Sequence, residues 1–325
     1  LKVLLVDVDS LWGNLALMKL SACHKRKGDQ VFLNRVNPKK HYTTATKFPI
    51  SLWIDSPVQR FDVVHVSCLF DWNRQKALSI AKMFECMGSE VHVGGSGIDL
   101  KKALPEEVEH LMPDYSLYGL NFSMGFLTRG CIRKCPWCIV PKKEGMIRFN
   151  APLHEFRHPR HRKVMILDNN LLAYQGHMDL LWSLIGFKVC FNQGLDIRLI
   201  NDENAKLLSI IDCRDDEFKD ARLYFSWDIL EIESKVLDGL TVLRNHGIPA
   251  GRCLIYMLCG FDVKPERYDW QWFLDHDWHR YETLMKLKAK PFIMVCDNRK
   301  DLPLLSAFQR WVNYRFKPRK GRNLG

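Results

Sequence analysis

FDVVHVSCLFDWNRQKALSIAKMFECMGSEVHVGGSG, residues 61–97, decides the fold class. Phe61–Cys68 is an apolar, β-branched run of strand length, and Arg74–Met87 carries apolar residues at helical spacing before Gly88 stops it. Glu90–Val93 then leads as a second strand into Gly94-Gly95-Ser96-Gly97. Strand, helix, strand is the crossover that a parallel sheet requires. The upstream chain has the same rhythm: Lys2–Val8 reads as a strand, Leu11–Lys27 as a helix ending at Gly28, and Gln30–Asn34 as a short strand. Residues 1–115 are therefore expected to form a Rossmann-like α/β domain with a parallel sheet.

A linker, Pro105–Tyr118, precedes a second run of the alternation. Its strand candidates are Ser123–Thr128, Val164–Leu167, Val189–Asn192, Arg222–Ser226, Arg252–Leu258 and Phe292–Val295. Between them fall helical patterns at Gln175–Gly186, Asp202–Ile211, Glu231–His246 and Tyr268–Lys288. Six strand–helix units predict a partial (βα)6 barrel of the TIM type over residues 116–325, with a basic C-terminal tail. Such an architecture puts its chemistry at the C-terminal ends of the strands.

Of the 325 residues, 47% are hydrophobic and 26% charged, which suits one large globular domain or two ordinary ones. No apolar run reaches the length of a membrane span, and the start LKVLLVDVDSLWGN lacks the order of a signal peptide. A cytoplasmic location is the default expectation, and Leu1 as first residue points to a trimmed or altered start. Eight of the eleven cysteines (Cys23, Cys68, Cys86, Cys190, Cys213, Cys253, Cys259 and Cys296) are scattered and read as small buried hydrophobes rather than a disulfide framework. The net charge of +11 makes an acidic partner plausible, with nucleic acid the favoured class. Part of that charge lies in Lys317-Pro318-Arg319-Lys320-Gly321-Arg322, which also reads simply as a solvated end.

The remaining cysteines cluster in Thr128-Arg129-Gly130-Cys131-Ile132-Arg133-Lys134-Cys135-Pro136-Trp137-Cys138. Three thiolates on one short loop can face one point and bind a soft metal or an iron–sulfur cluster. A cubane cluster has four irons, so three cysteines leave one iron open to another molecule. Gly130 permits a tight turn before the first ligand. Arg129, Arg133 and Lys134 are expected to lower the thiolate pKa values. A structural zinc site would need a fourth ligand, for which Cys190 and His154 are candidates, but no second Cys-x-x-Cys pair exists.

Cys131-x3-Cys135-x2-Cys138, with Trp137 just before the last cysteine and Arg129-Gly130 just before the first, resembles the radical S-adenosylmethionine superfamily. The resemblance implies a [4Fe–4S] cluster whose unique iron binds the amino and carboxylate groups of S-adenosylmethionine. Reductive cleavage then gives methionine and a 5′-deoxyadenosyl radical. It also implies an electron donor such as flavodoxin or ferredoxin, and a partial barrel across roughly residues 120–315. Asp168 and Asn169 stand where the family often carries Gly-Gly-Glu to grip the amino group. Trp137, Asn192, Gln193, Asp196, Arg198 and Gly260 complete the set of expected cofactor contacts. Asp228 reads equally as a hydroxyl ligand or a helix cap, Tyr256 and Cys259 as packing, and Phe308–Phe316 as a helix closing the barrel. No residue is assigned as catalytic.

The N-terminal region resembles the cobalamin-binding fold that precedes the radical domain in one subgroup. Ser67-Cys68-Leu69 looks like its Ser-x-Leu element and Gly94-Gly95 like its Gly-Gly element. The third element should supply a histidine to cobalt, but the matching stretch reads Asp7-Val8-Asp9-Ser10-Leu11-Trp12-Gly13. Asp9 is no substitute for imidazole, and His24 is expected at the surface, so the domain is expected to keep the fold without cobalamin. The rival reading is a non-catalytic nucleic-acid-binding protein carrying zinc or a cluster. A base, a peptide and a small metabolite are all compatible as substrates, and the lack of a second cysteine motif weighs against sulfur insertion.

Overall fold

Val3, Leu4, Leu5 and Val6, consecutive in strand β1 (Lys2–Asp7), are all fully buried, which requires that both faces of the sheet be covered. The covering alternates with the period of two. Leu4 and Val6 cluster with Val64, Val66, Ala77, Ile80 and Phe84, whereas Val3 and Leu5 cluster with Leu17 and Val63. A computed structural model describes residues 1–36, 60–261, 267–296 and 302–316 of this chain. They form a mixed α/β protein with parallel sheets, in two compact units: Leu1–Gly125 with Ala151–His161, and Phe126–Asn150 with Arg162–Gly325.

In the first unit β2 (Gln30–Arg35), β1, β3 (Val63–Ser67) and β4 (Glu90–Gly94) lie in that order, all parallel. Helix α1 (Leu15–Arg26) joins β1 to β2 and packs Leu17 on one face; α2 (Arg74–Cys86) joins β3 to β4 and packs Ala77, Ile80 and Phe84 on the other. Asn14 caps α1 by accepting from Leu17 N–H at 3.1 Å. The stretch read as a linker packs into this unit. Tyr115 and Tyr118 are buried; the Tyr115 hydroxyl lies 2.6 Å from the Phe156 carbonyl, and that of Tyr118 donates to Asp7 at 3.0 Å. Prolines marked the segment as a linker, but its aromatic residues bury more surface than a linker allows. A short strand, β5 (Ser123–Gly125), ends the first segment of the unit, which also takes in Ala151–His161. His24, expected at the surface, is half-buried, with Nδ1 2.7 Å from Asp29 and Nε2 3.0 Å from His65 Nε2. Burial pushes His65 down to about 3, so it stays neutral and can accept from His24.

The second unit opens with an antiparallel pair, β6 (Thr128–Arg129) and β7 (Arg148–Phe149), with the short helix α3 (Val140–Lys143) between them. Strands β8 (Lys163–Ile166), β9 (Lys188–Phe191) and β10 (Asp212–Cys213) are parallel in the order β10-β9-β8. Strands β11 (Leu223–Ser226), β12 (Cys253–Cys259) and β13 (Lys290–Val295) form a second parallel sheet. Helices α4 (His177–Ser183), α5 (Asp202–Ile210), α6 (Glu233–Asn245), α7 (Trp270–Phe273), α8 (His279–Lys286) and α9 (Pro303–Phe316) complete the unit, α7 and α8 joined by a π-helical turn over Leu274–Trp278. Along β12, Cys253, Ile255, Met257 and Cys259 are fully buried while the residues between them are half-buried. The anticipated strands form within about two residues of their expected bounds except Ser123–Thr128, which breaks into Ser123–Gly125 and Thr128–Arg129, and the described ones are divided between sheets and close no barrel. The unanticipated β10 takes the edge at the start of β9, pairing with Lys188 and Val189. Past β9, Leu195 N–H reaches Tyr224 O at 2.8 Å in place of a continuous β9–β11 ladder. Among the described residues no helix is long and apolar enough to cross a membrane.

Candidate functional site

Thr128 pairs with Phe149 and Arg129 with Arg148, so the intervening residues form one closed loop, and it holds all three clustered cysteines. Each is a free, part-exposed thiol. The loop starts on Gly130 at φ +88°, where a Cβ would lie 2.3 Å from the Met146 carbonyl oxygen and 2.7 Å from that of Gly145. Only glycine fits. Cys131 N–H then donates to Gly145 O at 3.1 Å, and Cys138 N–H turns back to Cys135 O at 3.0 Å. Glu144 holds the loop's base together, 3.3 Å from Arg129, 3.4 Å from Lys143 and 3.9 Å from Arg148.

Two of the sulfurs receive N–H groups. Arg133 N–H and Asn170 Nδ2 each donate to Cys131 Sγ at 3.3 Å, and Val140 N–H to Cys138 Sγ at 3.4 Å. Hydrogen bonds of this kind stabilise thiolate charge and tune a bound metal group. Burial pushes the Cys135 and Cys138 thiols up, opposed by Arg198 at Cys135 and by the Val140 N–H at Cys138. The expected lowering by Arg129, Arg133 and Lys134 does not occur at Cys135 and Cys138. Arg129 is engaged by Glu144 and Arg133 by Asp196, and the cation acting on Cys135 is Arg198.

The end of β8 meets this loop through three consecutive residues. Asp168 is buried and accepts from Leu127 N–H at 2.8 Å, from Thr128 N–H at 2.6 Å and from the Thr128 hydroxyl. Both carboxylate oxygens are thus used to fasten β8 to the start of β6. Burial pushes its carboxyl up to about 6 against the pull of those donors. Asn169 Oδ1 accepts from Gly130 N–H at 3.3 Å. Asn170, absent from the expected contacts, is the residue that reaches the thiols. Its Nδ2 serves Cys131 and lies 3.3 Å from Asp196, while its buried Oδ1 has no donor among the described residues.

Past β9, Asp196 collects the next set of donors. It accepts from Arg198 Nε at 2.6 Å and Nη2 at 3.0 Å, from Arg133 Nε at 3.0 Å and from Asn170. Burial pushes its carboxyl up, but the hydrogen bonds and charge of Arg198, then Arg133, outweigh that and hold it low. Asp196 and Arg198 do pair, as a purely structural role requires, yet the pair is tied directly to the cysteine loop. Asn192 continues the β9 ladder by donating its N–H to Ile166 O at 3.0 Å and is half-buried; Gln193 is exposed on the turn at Gly194. Neither side chain joins the Asp196 network among the described residues.

The ends of β11 and β12 meet the loop from the other sheet. Gly260 adopts φ +78°, and beside it the Phe261 ring meets Trp137 edge-on with centroids 4.7 Å apart. Asp228 accepts from Leu258 N–H at 3.1 Å, joining the two strand ends, and its charge raises the Cys135 and Cys138 thiols. Burial pushes the Asp228 carboxyl itself upward. Beneath lies a buried pair, Asp277–Arg280, with Arg280 donating to Trp227 O at 2.7 Å and Leu258 O at 3.1 Å. Sequence reading had no signal for that pair, because both residues fall within a helical pattern and only the π-helical turn aims Asp277 inward.

Among the described residues the three loop thiols form no ready-made metal site, since no three His, Cys, Asp or Glu side chains converge to ligate one ion, and Cys190 is fully buried in β9. In the first unit the residues do not fit cobalamin. Asp9 accepts from Leu69 N–H at 2.7 Å, Phe70 N–H at 3.1 Å, Asn73 Nδ2 at 3.0 Å and the Cys68 thiol at 3.5 Å. Its lone pairs fasten the loop after β3. That loop also lies against the Gly-Gly element, where a Cβ on Gly95 would fall 2.2 Å from Cys68 O. The chain matches no family model, and no curated protein matches it significantly.

Proposed function

We propose that this chain is a radical S-adenosylmethionine enzyme, with Cys131, Cys135 and Cys138 holding three irons of a [4Fe–4S] cluster and the fourth left for the cosubstrate. The observation that carries the reading is the three-thiol loop tied by Asn170 and Asp196, and by Trp137 against Phe261, to the C-terminal ends of parallel strands. When bound and reduced, the cluster supplies the electron that splits S-adenosylmethionine into methionine and a 5′-deoxyadenosyl radical. The chain's own residues hold and orient. Asn170 fixes the Cys131 sulfur through Nδ2 and keeps a buried oxygen as acceptor for an ammonium group. Arg198 and Asp228 set the charge around Cys135, and Trp137 with Phe261 walls the site. Asp168 and Asn169 position the loop through Thr128 and Gly130 rather than through the cofactor.

On this reading the second unit is a partial (βα) barrel whose ladder is interrupted at β10, and the first a Rossmann-like domain retained without cobalamin. An electron donor of the flavodoxin or ferredoxin type and a cytoplasmic setting that keeps thiols reduced go with it. Anaerobic reconstitution with iron and sulfide should give a brown protein with about four irons per chain, lost in Cys135→Ala. Reduction in the presence of S-adenosylmethionine should release 5′-deoxyadenosine. A chain that takes up one zinc, no iron, and releases no 5′-deoxyadenosine sinks the proposal.

A further inference from the structure

Helix α9 carries two apolar stripes where a surface helix has one. Leu305, Phe308 and Val312 are buried, with the Phe308 ring 5.1 Å from Phe273 and 5.7 Å from Tyr281. On the other side Ala307, Arg310, Trp311 and Tyr314, three and four residues apart, face outward. Trp311 is 49% exposed, one side of its ring packed on Trp278 at 6.0 Å and Tyr281 at 5.5 Å, and Tyr314 is 72% exposed. The helix cannot roll to hide these rings, because its polar residues are fixed to the open edge of β13. Ile293 N–H donates to Asn313 Oδ1 at 2.8 Å, while Asn313 Nδ2 and Gln309 Nε2 donate to Ile293 O at 2.9 and 3.2 Å.

With Phe292 of β13, the exposed stripe lines an open groove of about 700 Å³. Packed rings back its strand side: half-buried Phe292 meets half-buried Tyr256 edge-on at 5.6 Å, and Tyr256 stacks on the buried Tyr224 at 6.0 Å. The charge beside them is positive. Arg310 lines the groove, the Arg315 guanidinium lies 5.5 Å from the Trp311 ring centre, and the chain carries a net +11. Exposed rings in a row, interleaved with arginine, are what single-stranded nucleic acid needs: faces for bases and cations for phosphates.

We propose that this α9–β13 groove binds single-stranded nucleic acid, with bases stacked on Trp311 and Tyr314 and phosphates met by Arg310 and Arg315. A duplex keeps its base faces stacked within itself, so it meets only the charge. An acidic protein is drawn by the same charge but brings no base faces to the rings. The inference stands whether or not the cysteine loop holds a cluster.

The test measures anisotropy of labelled oligo(dT) and oligo(U) with the full chain, against a duplex of equal length and against poly-glutamate. Single strands should bind more tightly than the duplex. Trp311→Ala and Tyr314→Ala should each weaken single-strand binding about tenfold or more, with an unchanged circular dichroism spectrum. Arg310→Gln should flatten the salt dependence. Should Trp311→Ala fold poorly, the more exposed Tyr314→Ala carries the comparison. The proposal is overturned if both aromatic variants bind single strands like the parent, if duplex competes equally, or if poly-glutamate binds and oligonucleotides do not.

Discussion

Asp168 offers a measurable link between burial and the cysteine loop. It is 3% exposed, and burial raises its carboxyl from 3.8 to about 6 despite three donors on its oxygens. The folded chain therefore holds this proton more tightly than the unfolded chain. The resulting stability is fully present below about pH 4 and is lost as the pH rises through about 6. That span is worth about 3 kcal/mol, entered at a slope of up to about 1.4 kcal/mol per pH unit. Asp168→Asn removes the titration while keeping the shape, and comparing slopes cancels any fixed loss from turning an amide toward N–H donors. Urea unfolding followed by tryptophan fluorescence, at pH values between about 4 and 7, gives both curves. The parent should lose about 3 kcal/mol relative to the variant across the window. Parallel curves, or a parent that gains on the variant as pH rises, refute the reasoning, because the three donors would then outweigh burial.

Gly130→Ala must adopt a left-handed backbone at about 1–2 kcal/mol and displace the Met146 peptide; we expect a native circular dichroism spectrum with iron uptake lost, checked by iron per chain after reconstitution. Asp196→Ala takes from Arg133 and Arg198 their carboxylate acceptor and leaves the Asn170 amide only Cys131 Sγ, so unfolding free energy at neutral pH should fall by about 3 kcal/mol, the low end for a broken buried pair because both arginines are part-exposed. Since the Asp196 carboxyl is held low, its contribution is present above the ordinary carboxylate range and disappears as pH falls through the folded value; denaturation curves of parent and variant should converge in acid.

Local patterns were legible where the physics is local. The apolar run Lys2–Val8 announces a strand, and the helices Arg74–Cys86 and Asp202–Ile210 begin and end close to their sequence signals. Less is legible where distant residues compete. The prolines of Pro105–Tyr118 suggest a linker, yet Tyr115 and Tyr118 are buried, and no local pattern shows that β10 takes part of β9's edge. At the site, the place of Asp168 and Asn169 after a strand suggests cofactor contacts, whereas their bonds to Thr128 and Gly130, and that of Asn170 to the Cys131 sulfur, carry no signal in the sequence.

By itself the sequence determined the three-thiol loop, since Cys131, Cys135 and Cys138 and the obligatory glycine before them all lie within one short turn of chain. It equally determined that strands and helices would alternate on either side of that loop, because alternation and helix punctuation are properties of neighbouring residues. Only the tertiary structure decided what the thiols face. The bond from Asn170 to Cys131 spans 39 residues and that from Arg133 to Asp196 spans 63. Such contacts depend on sheet register and on which strand edge is free, and neither is written in the spacing of residues along the chain.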